Sequence, residues 1–178
     1  MLIDLIGLPP FTTLFLFHIF CFTYLLLEKF MGMYSQFKTD KALESKGIVI
    51  DYGDFGVTIA RAGSANSKFV RNHEFLTKPV RRLIEQEILP REREMAINRE
   101  LYAKSVVLNW EVKDGVDKDG QDKWKQGIEG PDGATLPFTE ENVISTFENL
   151  QDLFSDITVQ ATNMKLFLAS NREADAKN

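Results

Sequence analysis

The sequence predicts an α+β fold, mainly helical, with a short N-terminal β-hairpin and a long Gly/Asp-rich loop. Three observations carry that prediction. Two β-rich runs, residues 47–52 and 55–60, flank the turn pair Gly53-Asp54. Apolar side chains recur at helical spacing through residues 69–108 and again through 143–168. Between them, residues 110–138 are rich in Gly, Asp and Pro, the residues of turns. With 178 residues, 44% of them hydrophobic, the chain has enough apolar mass for one core, and its single cysteine excludes an intrachain disulfide.

The composition is stepped. Residues 1–33 carry only Asp4, Glu28 and Lys29 as charges but hold 6 of the 14 phenylalanines. Inside them, residues 11–27 are uncharged, at the short limit for a helix that spans a bilayer. Three readings fit this apolar segment: translation that starts instead at Met31 or Met33, a membrane anchor, or a buried helix. A signal peptide fits poorly, because no Lys or Arg precedes the stretch and no small-x-small site follows it. His18 and Cys21 lie in the segment three residues apart, and two ligands without partners hold metal poorly.

Residues 34–46 read as a polar arm, and residues 47–170 as a single domain. In its second β run Phe55, Val57 and Ile59 alternate with Gly56, Thr58 and Ala60, which gives one apolar face. A lone hairpin is marginal in water, so this face is expected to pack on helices or on another chain. Gly63 to Ser67 form a turn able to cap a helix, whose stripe runs through Phe69, His73, Leu76, Val80, Leu83, Ile84 and Ile88. Pro79 should kink or divide that helix. His73, on the stripe, reads as a packed or interfacial residue. Pro90 opens a second helix expected to run to about Asn109, with Ile97, Leu101, Tyr102, Ser105 and Leu108 inward.

The long loop is expected from Trp110, with a small hairpin through Asp119-Gly120. Its carboxylates do not make a calcium loop, since the register with Gly120 at position six puts Gly115 at one and Gln126 at twelve. Thr139 is an N-cap for the final stripe: Val143, Phe147, Leu150, Phe154, Ile157, Ala161, Met164 and Leu168, in steps of four and three. Such a repeat suits either a seam for a partner helix or two consecutive helices on the chain's own core, broken near Gln151-Asp152. Residues 171–178 read as a polar tail that frays.

Chemistry is sparse. Beyond residue 33 there is no cysteine and only His73 as a histidine, and no nucleophile elbow, phosphate loop or dinucleotide fingerprint occurs. The expectation is a protein that is not an enzyme, with no catalytic residue, no cofactor and no metal. Charge is segregated: residues 61–99 hold nine Lys/Arg against five Asp/Glu, and residues 110–178 hold 14 acidic against 7 basic groups. The basic stretch could be a nucleic-acid footprint. Glu85, Glu87, Glu92 and Glu94 among its arginines instead favour an ion-paired helix surface, and the two-signed chain favours a protein partner over a nucleic acid.

Several short elements resemble the tail assembly chaperones of long-tailed bacteriophages. They are the extended run into Asp51-Tyr52-Gly53, the strand ending Ile59-Ala60-Arg61, and Lys78-Pro79-Val80-Arg81-Arg82. Leu108-Asn109-Trp110-Glu111-Val112, the Asp119-Gly120 turn, the stretch from Leu136 to Asn142, and Leu153-Phe154-Ser155-Asp156-Ile157 complete it, over roughly residues 47–168. The loop between Trp110 and Pro137 is longer than the family's, and residues 1–33 have no counterpart in it. The resemblance implies a non-enzymatic factor of virion morphogenesis in the host cytoplasm. Its partners would be the tape measure protein and the tail tube protein, with self-association compatible. The candidate partner-binding residues are Arg81, Arg82, Val143, Phe147, Phe154, Ile157 and Met164. The alternative is a small single-span protein of the inner membrane, held through residues 11–27, with a soluble partner-binding domain; a membrane is a partner only if that span is genuine.

Overall fold

The computed structural model describes residues 32–116 and 118–169, and the readings made for residues 1–31 and 171–178 lie outside them. The chain divides into two units after Phe37. In the first, the described part is a short helix, α1 (Met33–Phe37). The second is a mixed α+β body that begins at Lys38.

The body opens with α2 (Lys41–Lys46), so the expected polar arm is partly helical. Asp40 caps α2 by accepting the Ala42 N–H at 2.7 Å. Gly47 then turns the chain at φ +84, where an added Cβ would stand 2.8 Å from the Ile59 carbonyl oxygen. The opposite end of the body closes on this entry, with the Asp40 N–H bonded to the Phe167 carbonyl at 2.9 Å and Thr39 bridged to Leu168.

Strands β1 (Ile48–Asp51) and β2 (Phe55–Ile59) pair antiparallel. They do not stand alone. Among the described residues, β2 also pairs with β3 (Val107–Val116), and β3 with β4 (Asp122–Gln126), in a four-stranded sheet of order β1-β2-β3-β4. The stretch expected as a loop from Trp110 is therefore mostly ribbon. Its Gly and Asp residues serve the turns, Gly120 standing at φ 78 between β3 and β4. Charged side chains such as Lys113, Lys123 and Lys125 are exposed, which erases the apolar alternation that marks a strand in sequence. A second hairpin, β5 (Ile128–Glu129) with β6 (Thr135–Leu136), follows.

The helical part is split by proline as expected. α3 (Ser67–Thr77) gives way to a tight turn at Lys78–Val80, then to α4 (Arg81–Glu85). α5 (Arg91–Ser105) stops four residues before the expected end. The β-branched pair Val106-Val107 enters the sheet there, and Val107 and Trp110 are buried. Thr139 caps α6 (Glu140–Asn149) by accepting the Asn142 N–H at 3.1 Å. α7 (Gln151–Thr162) follows after a single non-helical residue, Leu150.

One core joins these layers. Val57 and Ile59 from β2, Trp110 from β3, Tyr102 from α5 and Val106 just after it, and Val143, Phe147, Phe154 and Ile157 from α6 and α7 pack together. An aromatic series runs through it: Phe147 to Phe154 (ring centroids 4.9 Å), Phe154 to Tyr102 (5.5 Å), and Tyr102 to Phe69 (5.9 Å).

Candidate interaction surfaces

The final stripe is spent mainly inside the molecule. Val143, Phe147, Phe154 and Ile157 are at most 8% exposed, in the core just described, and so present no side chain to a partner in this conformation. Met164 is half-buried in the turn Met164–Phe167. The stripe is two helices on the chain's own core, and the break at Leu150 leaves that side chain 52% exposed.

Arg81 and Arg82 lie far more openly, on a helical spur made of α3, the Lys78–Val80 turn, α4 and the first turn of α5. Its root is fastened by one side chain. Asn66 accepts the N–H groups of Lys68 (3.0 Å) and Phe69 (3.1 Å), and its amide donates to the carbonyls of Arg61 (2.9 Å) and Ser105 (3.0 Å). Asn72 adds a bond to the buried Ser105 hydroxyl at 2.8 Å. Farther out, Val80 and Ile97 are buried, whereas Val70, Phe75, Leu83, Ile84 and Ile88 are exposed. His73, expected as a packed or interfacial residue, is exposed and stacks on Phe69 at 6.4 Å.

The spur's charges differ from the expected ion-paired surface. Ion pairs among the described residues are Arg61–Glu44, Lys104–Glu100 (2.5 Å) and Lys113–Asp122 (2.7 Å). None involves residues 67–94. Lys78, Arg81 and Arg82 thus form an exposed cationic run without an ion-pair partner, set among exposed apolar side chains.

A second surface lies on the body, a cleft of about 610 Å³ between the sheet and the α6–α7 corner. Phe55, Val112, Ile128, Leu136, Leu150 and Leu153 make it predominantly apolar, and Asp54 and Glu129 supply carboxylates at its lining. Sequence reasoning missed this cleft, because it is assembled from five separate stretches.

The titrating groups that depart from ordinary values are structural. Burial pushes the Tyr52 hydroxyl up, reinforced by its 2.7 Å bond to Asp156, which ties the β1–β2 turn to α7. Burial also raises Tyr102. The Glu100 hydrogen bond raises Lys104, and Asp122 raises Lys113. Among the described residues no group of His, Cys, Asp and Glu could hold a metal ion, and no helix is long and apolar enough to cross a membrane.

The described residues of this α+β body thus expose two surfaces, one basic and one apolar. A family model described as YdaY prophage protein matches residues 64–178, and the chain belongs to that phage-derived family. The matched region takes in the spur, α5, β3–β6, α6 and α7, and leaves out β1 and β2. Comparison with curated proteins and with solved structures returns no match.

Proposed function

We propose that this protein is a non-enzymatic tail assembly chaperone that binds the tape measure protein in the host cytoplasm and assists assembly of the tail tube. The observation that carries this reading is the spur. Unpaired cations beside exposed apolar side chains suit an amphipathic helix with acidic flanks, the form in which a long helical protein offers its surface. Membership of a prophage family supports a phage setting, and the resemblance over residues 47–168 implies this client. Arg81 and Arg82 are the recognition residues; the buried members of the final stripe hold the body that presents them.

Co-purification of the full chain with a tape measure protein from the same phage tests the proposal. Capture is expected, and Arg81→Ala with Arg82→Ala should weaken it about tenfold while leaving the circular dichroism spectrum unchanged. A chain that fails to capture the tape measure protein at low salt would refute the client.

A further inference from the structure

The spur and the cleft complement each other in both chemistry and charge. Residues 78–83 contain three cations and no acid, with Leu83 exposed at 38%; the exposed Glu85 and Glu87 then separate them from Ile88, exposed at 60%. The cleft offers the reverse: an apolar lining that includes Phe55, Leu150 and Leu153, with Asp54 and Glu129 at its edge. Neither carboxylate is in an ion pair among the described residues, and the nearby Lys113 is already bonded to Asp122 at 2.7 Å. No spur residue lines the cleft, so the spur of the same molecule does not fill it.

We infer that the cleft receives the spur of a second copy of this chain, with Leu83 and Ile88 on the apolar lining and Arg81 and Arg82 facing Asp54 and Glu129. The two patches are different, so the contact is heterologous. A pair so joined leaves one spur and one cleft free, on different copies, and association proceeds head to tail unless the rotation closes a ring. The contact goes beyond the client reading and is tested without any client, so either can fail alone. Because both use the spur, a client and a neighbouring copy compete for it.

Sedimentation velocity of the full chain over a range of concentrations tests the contact. Association should grow with concentration and weaken with salt. Arg81→Glu with Arg82→Glu should weaken it about tenfold, as should Asp54→Lys with Glu129→Lys. Mixing the two charge-reversed variants in equal amounts should restore association, because each spur then meets a cleft of opposite sign. Leu83→Ser, an uncharged change at an exposed position, should weaken association by a similar factor and gives the readout if a reversed pair fails to fold. A wild-type chain that stays monomeric, variants that associate as wild type does, or a mixture that does not recover would overturn the inference.

Discussion

The body and the spur solve opposite problems with similar residues. In the body, apolar side chains from the sheet and from α5, α6 and α7 meet in one core, and Phe147 and Ile157 are no more than 2% exposed. Some of its charged groups are also tied down, Glu44 to Arg61 and Asp156 to Tyr52. On the spur, Phe75 is 71% exposed and the cations of residues 78–82 form no ion pair among the described residues. A stripe of large apolar residues therefore marks a face to be covered, and its surroundings decide whether the chain itself covers it. The body holds the stability and the spur holds unused surface.

Three measurements probe this contrast. The largest effect should come from Phe147→Ala, which removes a ring in contact with Phe154 and leaves a cavity, at a cost of about 3–5 kcal/mol in denaturant unfolding. The matched change on the spur, Ile88→Ala, should stay within about 0.5 kcal/mol, and comparable losses at the two sites would break the comparison.

Asn66→Ala should fall between them, at about 2 kcal/mol, because it removes a helix cap and two bonds to carbonyls at the spur's root. Hydrogen exchange should show lost protection in α3 before the sheet, whereas uniform loss would place Asn66 in the body's own cooperative unit.

A smaller effect than at Asn66 should come from Tyr52→Phe, about 1 kcal/mol at neutral pH. Its pH dependence has a definite sign. The hydroxyl titrates higher in the folded chain than in the unfolded one, so its contribution is complete below about pH 10 and is lost as pH rises beyond it. The phenylalanine variant should lose less stability above pH 10 than wild type does, and parallel alkaline curves would remove Tyr52 from the account. Tyr102 is raised too, so part of the slope should persist.

Much of the body was legible in the sequence because local chemistry coincides with tertiary need. The alternation at Phe55, Val57 and Ile59 marked a strand whose Val57 and Ile59 are buried, Thr139 marked a helix start, and Pro79 marked a division between helices. Of the ribbon of β3 and β4 the turn at Asp119-Gly120 was legible and the length of the strands was not, since much of it is exposed and its polar side chains follow no apolar period. The stripe from Val143 to Leu168 shows a different limit. Steps of four and three report that a face is covered, and a partner seam and an internal core produce the same spacing. The Asn66 and Asn72 bonds to Ser105 span 39 and 33 residues, so no local pattern announces them.

Among the described residues the sheet has two open sides, β1 and β4, and each could template the backbone of another molecule. Both are poor templates. β1 is four residues long and ends on Asp51, and β4 carries Lys123 and Lys125 on either side of Trp124. Lysines spaced along a rim repel a second rim of the same kind, and a short strand gives too few bonds to hold one. The sheet thus stays finite even when the protein is concentrated, and contact between copies is left to side chains, where it is specific and reversible.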